Sequence, residues 1–422
     1  MLTTQPRGGS SGAHVPSPDL WSGARRAAVP PATWFDRWCL SRIQTAFAGA
    51  PVRLRLWDGT SVMLGADATA GTIDIADRGT LAGLLFRTDL AFGDAYADGR
   101  LTVEGDLAEL LELVYGAMAG RWRAARGWHR STGASESDAR QNVHAHYDIG
   151  NAFYRLWLDE AMVYTCAYFE RPDVSLEAAQ TAKLDYICRK LALRPGDRVI
   201  EAGSGWGALA LHMARHYGVT VRAFNISTEQ LEYSRERAAA EGLADRVAFV
   251  GGDYRAIEGR CDAFVSVGML EHVGASQYRA LGEVIERVLE PRHGRGLLHF
   301  IGRNRPAPFS PWISRRIFPG AYAPALSEVL PEVLERFDLS IVDVENLRLH
   351  YAATLSHWLT RFESRVDAVR RMFDERFVRM WRLYLASARA SFTSGDLQLF
   401  QVTFRRPNDG VVPSTRRTLY GP

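Results

Sequence analysis

Lysine is almost absent from this sequence. Of 51 basic residues in 422, only Lys183 and Lys190 are lysines and the rest are arginines. A GC-rich genome accounts for such a bias without selection for guanidinium chemistry. An arginine-rich surface nonetheless suits phosphate, because the planar fork binds two oxygens at once. Cysteine is scarce as well. Cys39, Cys166, Cys188 and Cys261 show no metal-ligand or redox spacing, which argues against a disulfide framework or a metal site and fits a reducing, cytoplasmic compartment. No stretch approaches the roughly 20 apolar residues that span a bilayer. The start of the chain runs Gly8-Gly9-Ser10-Ser11-Gly12 with no apolar region of a secretory signal. Excess charge is also missing: 51 basic and 48 acidic residues leave +3, too balanced for a dedicated nucleic-acid binder.

What is present is the composition of a soluble globular protein, with 47% hydrophobic and 23% charged residues. The length suggests two or three domains. Residues 1–30, rich in Gly, Ser, Pro and Ala, read as a flexible tail. Order is expected from Trp34, because Trp34, Trp38, Leu40 and Ile43 recur at helical spacing. Residues 31–118 form a small α+β domain. Residues 52–56 alternate as a strand, Asp58-Gly59 turns the chain, and 60–64 return. Apolar stretches follow at 84–86, 92–96 and 101–105, and Asp106 caps a helix carrying Leu107, Leu110, Leu111, Leu113 and Val114. This unit shows no catalytic constellation. Residues 119–141 are polar and Arg-rich, with Trp122 and Trp128 among the arginines. They read as an exposed linker or as a basic-aromatic segment that touches a membrane.

Residues 142–406 form the main domain. Strands at 198–202, 219–224, 246–250, 263–267 and 296–301 alternate with helices at 206–217, after Ser227 or Thr228, and at 281–289. That rhythm predicts an α/β domain with a largely parallel sheet covered on both faces. Residues 302–330 break it with Pro306, Pro308, Pro311, Pro319 and Pro324, as a lid or binding loop does. Residues 352–392 carry one long helical stripe, 397–404 make a closing strand, and 407–422 read as a tail.

Glu201-Ala202-Gly203-Ser204-Gly205-Trp206-Gly207 lies at a strand-to-helix turn. Its glycines permit tight turning and close backbone approach to a ligand. Glu201 at the entry suits hydrogen bonding to the amino-acid or ribose part of an adenosyl ligand. The next strand ends Phe224-Asn225-Ile226-Ser227, without the acidic residue that a nicotinamide dinucleotide site places there. At the third strand's end, Asp253 either accepts from an adenine amino group or caps a helix, and Tyr254 packs on the ring.

Five further stretches carry a resemblance. They are Asn142-Val143-His144-Ala145-His146-Tyr147-Asp148-Ile149-Gly150-Asn151-Ala152-Phe153-Tyr154, Met162-Val163-Tyr164-Thr165-Cys166-Ala167-Tyr168-Phe169, the glycine turn, Val267-Gly268-Met269-Leu270-Glu271-His272-Val273-Gly274, and Leu397-Gln398-Leu399-Phe400-Gln401-Val402. In this order they resemble the cyclopropane-fatty-acyl-phospholipid synthase family, which includes the mycolic acid cyclopropane synthases and related lipid C-methyltransferases. The N-terminal unit resembles the smaller domain of the bacterial phospholipid synthases. The resemblance implies a Rossmann-like class I methyltransferase domain behind the small α+β domain. It implies S-adenosylmethionine as cofactor and transfer of a methylene group to the cis double bond of an unsaturated phospholipid acyl chain. A carbocation deprotonated by bound bicarbonate then closes the ring. The alternative within the family is a methylene- or methyl-branched chain.

By the same resemblance, Cys166, Glu271, His299, the Ile301 backbone amide and Tyr351 form the bicarbonate site. Tyr164, Thr165, Glu201, Gly203, Ser204, Gly205, Asn225, Gln230, Asp253 and Tyr254 hold the cofactor. Ser204 stands where the family usually has Cys, Asn225 where Thr is common, and Phe224 is larger than the usual aliphatic residue. Taken alone, His299 and Tyr351 also read as core residues, and Cys166 as a small buried hydrophobe. The aromatic run Phe153, Tyr154, Trp157, Tyr168 and Phe169 reads either as core or as a hydrocarbon tunnel whose π faces steady a cation. The implied partner is a phospholipid at the inner face of the membrane, bound peripherally. Arg303, Arg305, Arg315 and Arg316 would engage lipid phosphates while Trp312 and Phe318 insert. The N-terminal domain would serve dimerisation or lipid presentation.

Overall fold

The computed structural model of the protein describes residues 30–65, 70–118, 149–307, 309–409 and 415–420. The segment with Trp122 and Trp128, and residues 142–148 of the first motif, lie outside the described residues.

Helix α1 (Trp34–Ala46) starts where the apolar spacing placed it, with Thr33 and Asp36 capping one another's backbone. Strands β1 (Val52–Leu56), β2 (Ser61–Met63), β3 (Gly71–Ile75) and β4 (Leu101–Glu104) form a sheet in the order β2-β1-β3-β4. Helices α2 (Arg78–Phe86), α3 (Thr88–Ala97) and α4 (Leu107–Met118) complete the unit. Asp106 caps α4 as expected, accepting from the Glu109 amide at 2.8 Å. Strand β3 escaped the sequence reading, because Gly71 and Asp74 interrupt a run of only five residues. It pairs parallel to β1, so Leu54 and Ile73 stand side by side on the buried face.

The main domain opens with α5 (Asn151–Tyr154) and α6 (Leu176–Lys190). It then alternates β5 (Arg198–Ala202), α7 (Ala208–Tyr217), β6 (Thr220–Asn225), α8 (Thr228–Ala240) and β7 (Val247–Gly251). There follow β8 (Ala263–Val267), α9 (Leu270–Val273), α10 (Tyr278–Val288), β9 (Arg295–Gly302), α11 (Leu326–Val333) and β10 (Ser340–Asn346). Three helices, α12 (Arg348–Ser364), α13 (Val366–Met372) and α14 (Glu375–Ser394), precede β11 (Gln398–Arg405). The sheet order is β10-β11-β9-β8-β5-β6-β7. Strands β9 to β7 run parallel, and β11 lies antiparallel between β9 and β10. The chain moves outward from β5 to β6 and β7, then returns to β8 on the other side. That reversal opens a crevice at the carboxyl ends of β5 and β8.

The single long helix expected over 352–392 is three helices. Phe373 is extended, and Asp374 restarts the helix by accepting from the Phe377 amide at 2.7 Å. Periodicity reads through the break because Leu355, Trp358, Phe362, Val369 and Trp381 all face one core.

Helix α14 packs on α12 and also on α3 and α4, joining the two domains. Arg379 donates to the carbonyls of Tyr96 and Leu101, and Arg376 and Arg389 pair with Asp98 and Glu112. The proline-rich insertion turns inward rather than outward. Ser310 bonds Asp89 at 2.8 Å, Arg316 pairs with Asp94 at 2.9 Å, and Trp312 is 3% exposed beside Gly93. Arg303 is buried, paired with Asp396 and set over the Phe309 ring. Trp312 and Arg316 therefore contact the N-terminal domain and Arg303 is buried within the main domain, so the three do not form a membrane-facing set. The described part of the C-terminal tail is docked too, since Arg416 pairs with Asp343 and Arg189 donates to the Leu419 carbonyl. Among the described residues, no helix is long and apolar enough to cross a membrane.

Candidate active site

The glycine turn leaves β5 with left-handed backbone at Gly203, Gly205 and Gly207, φ +88°, +51° and +81°. A side chain at Gly207 would stand 2.6 Å from the Phe249 ring, so close packing as well as conformation requires glycine there. The amides of Gly203 and Ser204 both donate to the Phe224 carbonyl, tying the turn to the end of β6. Asn225 reinforces that tie. Its Nδ2 donates to the Gly205 carbonyl at 3.0 Å and to Gln230 Oε1 at 2.8 Å, while its Oδ1 accepts from the amides of Ile226 and Ser227. Asn225 therefore positions the turn and Gln230 rather than offering a free group to a cofactor. Because Gln230 Oε1 is held, its Nε2 is the atom left unpartnered. Asp253 also differs from expectation. It caps the turn that follows and gives both oxygens to Arg255, at 2.8 and 3.0 Å. The cap reading applies, and any adenine contact shares this carboxylate with Arg255.

On the other side of β5, Glu271 in α9 accepts from the Ile301 amide at 2.6 Å through Oε1. That amide is thus spent on Glu271 and is not offered to a bound ion. Glu271 Oε2 has no partner among the described residues, and burial raises the carboxyl to about 7 against the pull of the Ile301 bond. His272, next in sequence, is half-buried and lowered to about 4 by desolvation, with Phe318 beside its ring.

His299 on β9 is matched in register with Gln401 on β11. Lys190, which can only donate while charged, gives a hydrogen bond to Gln401 Oε1 at 2.8 Å. The Gln401 amide nitrogen therefore faces His299 Nδ1, at 3.0 Å. An amide N–H can only donate, so Nδ1 accepts and the imidazole proton sits on Nε2, which is buried without a partner among the described residues. Burial, then the charges of Lys183 and Lys190, hold His299 well below the ordinary histidine range. It is a neutral donor. Glu345 anchors Lys190 from β10, with Tyr186 donating to the same carboxylate at 2.9 Å.

The loop 162–169 brings the remaining residues. Asp159 accepts from the amides of Ala161 and Val163, stabilising Met162 at φ +58°. Tyr164 meets the Tyr384 hydroxyl at 2.8 Å, and Thr165 Oγ1 accepts from Lys183 at 2.9 Å. Cys166 is buried with its thiol turned to the Ala167 carbonyl, and desolvation pushes it well above its ordinary range. It is not a nucleophile. Tyr351 on α12 packs edge-on against Trp358. Lys183, fully enclosed, is pushed down to about 8 by burial, and Glu201 is pushed up to about 8 by burial, each opposed by the other's charge.

Every residue expected at the site lines one cavity of about 670 Å³. Glu201 Oε2, Ser204 Oγ, Gln230 Nε2, Tyr254 OH, Glu271 Oε2 and His299 Nε2 are buried side-chain atoms with no partner among the described residues, and their residues line it. Buried polar atoms are normally paired, so this donor and acceptor set fits polar ligands. Its first four members suit an adenosyl amino acid, and the last two suit a small oxyanion that both donates and accepts. Lys183 lines the cavity as well, and Lys190 and Gln401 stand behind it. All three were missed as site residues, although the rarity of lysine was itself a signal. Phe153, Tyr154 and Trp157 are fully buried against Phe373, Phe377 and Trp381, while Tyr168 and Phe169 stack on His350 and His357. That run is core. The aromatic walls of the cavity come instead from Trp312, Phe318, Tyr384 and Phe92.

Residues 134–402 match the model of the mycolic acid cyclopropane synthetase family, and 40–122 match a domain of unknown function. The chain is 37% identical over 382 residues to a probable fatty acid methyltransferase of Pseudomonas putida, covering 88% of this chain and 96% of that one. It is 40% identical over 262 residues to the cyclopropane-fatty-acyl-phospholipid synthase of Escherichia coli, covering 62% and 66%. A crystal structure of the mycolic acid cyclopropane synthase CmaA1 with SAH and CTAB superposes with a TM-score of 0.60 at 30% identity, covering 63% of this chain and 98% of that one.

Proposed function

Because the chain belongs to the mycolic acid cyclopropane synthetase family of S-adenosylmethionine-dependent methyltransferases, we propose that it transfers a methylene group to the cis double bond of an unsaturated phospholipid acyl chain and closes a cyclopropane ring. S-adenosylmethionine supplies an electrophilic methyl group. Glu201, Ser204, Gln230, Tyr254 and the glycine turn would hold it, with Asp253 shared between cofactor and Arg255. An alkene is a poor nucleophile, so the walls of the cavity must align it with that methyl group and exclude water. Attack leaves a cation on the acyl chain, and loss of a proton from the new methyl group closes the ring. Bicarbonate, held by Glu271 Oε2 and His299 Nε2 with Cys166 and Tyr351 nearby, would supply the base. Neutral His299 donates to it, and ionised Glu271 accepts from it.

The observation that carries this reading is the junction within one cavity. Glu271 and His299, each with a buried atom unpartnered among the described residues, line the same cavity as the polar set proposed for the cofactor and as Phe318, Tyr384, Trp312 and Phe92, which supports this reading. The test is mass spectrometry of acyl chains after incubation of the protein with unsaturated phospholipid vesicles and S-adenosylmethionine, before and after mild hydrogenation. A product heavier by one methylene that resists hydrogen supports the proposal. A product of that mass that takes up hydrogen favours a methylene-branched chain. This second reading draws on the match to a fatty acid methyltransferase across both domains. No mass gain refutes both.

Peripheral contact with the membrane is assigned to α1 in place of the insertion. Trp34 and Trp38, four residues apart on one face, are 79% and 44% exposed, as interfacial tryptophans are. Replacing both with Ser should weaken sedimentation with anionic vesicles. Unchanged sedimentation removes α1 from that role.

A further inference from the structure

The cavity does not end in the catalytic domain. Its wall continues past Trp312 and Phe92 into the small N-terminal domain, where Leu54 of β1, Ile73 of β3 and Leu110 of α4 line it. These are core side chains, at most 6% exposed, on the inner faces of their elements. Protein interiors are normally packed to crystal density. A domain this small gains its stability from such a core, so a cavity inside it that is continuous with an active site marks a binding space. Its lining there is mostly apolar, aliphatic side chains with Phe47 and Tyr115 among them, and Thr88 and Asp89 are its polar members. Helices α3 and α4 pack on α14, while β1 and β3 pair with each other and with β2 and β4 inside the small domain. Leu54 and Ile73 thus belong to the sheet of the small domain, and Glu271 and His299 to α9 and β9 of the other.

We propose that the N-terminal domain receives the methyl end of the acyl chain inside its own core, and that Leu54 and Ile73 limit how much chain can lie beyond the double bond. This rests on the acyl-chain reading above. The headgroup cannot take that path, because no polar partner awaits it at Leu54, Ile73 or Leu110. The methyl end can, since every methylene leaves water for a mostly apolar wall. The small domain is then part of the substrate site.

The experiment begins with the unaltered full chain. A phospholipid with a cis double bond and a photoreactive diazirine at the methyl end of its chain is incubated with the protein and illuminated, and the labelled peptides are sequenced. Label within residues 34–118 is expected. Label confined to residues 149–409 overturns the proposal. A second arm uses phospholipids with the double bond fixed from the carboxyl end and the methyl-side length varied. In Ile73→Phe, the ratio of kcat/KM for long over short methyl-side chains should fall by about tenfold or more, the scale of discrimination a hydrophobic pocket provides. In Leu110→Ala the ratio should rise. Parallel loss on all chains, with cofactor binding intact, overturns the length-limiting role. If the unaltered protein methylates none of these lipids yet its N-terminal domain is labelled, the acyl site stands and the catalytic reading fails.

Discussion

Replacing Gln401 with Glu tests the electrostatic design of the site with almost no change in shape. Gln401 is fully buried, with Lys190 on its oxygen and His299 Nδ1 on its nitrogen. A carboxylate at this position keeps the Lys190 contact and removes the donor. It then accepts from His299, so the imidazole proton moves to Nδ1 and Nε2 presents a lone pair to the cavity. Losing one buried donor is worth about 1–3 kcal/mol. The charge-assisted bond in the new direction adds to this. At about 1.4 kcal/mol per tenfold, the tautomer carrying the proton on Nε2 should fall by roughly 100-fold or more, and kcat with it. Cofactor affinity, which the proposal places on Glu201, Gln230 and the glycine turn, should stay within about twofold by calorimetry. Nitrogen-15 NMR of the labelled imidazole reports which ring nitrogen carries the proton. Gln401→Met, which can neither donate nor accept strongly, should fall between the two. The reasoning is refuted if Gln401→Glu shifts the proton yet retains kcat within about threefold, or if the proton stays on Nε2.

Burial holds the Glu271 carboxyl near 7, above its ordinary 4.5, so the native state keeps a proton that the unfolded chain has already lost. Stability should therefore fall as pH rises from 4.5 to about 7, by about 3 kcal/mol in total. Glu271→Gln should melt at a higher temperature than the unaltered protein at about pH 8 and gain little at about pH 5, while losing most activity and the rise in rate through neutral pH. Equal melting temperatures at both pH values would contradict this. At Gly93 a Cβ would lie 2.2 Å from Trp312 Nε1, so Gly93→Ala should displace the indole and loosen the insertion. The expected cost is about 1–3 kcal/mol in urea unfolding, with faster proteolysis between residues 303 and 324; an unchanged cleavage pattern would show the contact to be slack.

The strand-helix alternation of the main domain was legible because each central strand is a short apolar run ended by a chemically marked turn. Gly203 to Gly207, Asp253 and Glu271 all lie at such ends. Where a strand is half exposed, as β10 is, or interrupted, as β3 is, no such run exists and neither was read. The inward turn of the proline-rich insertion was illegible for another reason. Arg316 and Trp312 have the composition of a membrane contact, and only Asp94 and Gly93, more than 200 positions away, convert them into an interface.

The two lysines argue the same point more sharply. In a chain that uses arginine for every other basic residue, composition explains the arginines but not Lys183 and Lys190. Both are buried, one on Thr165 in the cavity wall and the other behind Gln401. A guanidinium is planar, stays charged, and needs several acceptors set in its fork. An ammonium is compact, directs its donors freely, and yields its proton when desolvated, as the lowered range of Lys183 records. A departure from a compositional bias carries information that the bias itself does not. Here it marks the two places where a small cation, placed out of reach of water, sets the polarity of groups that line the cavity.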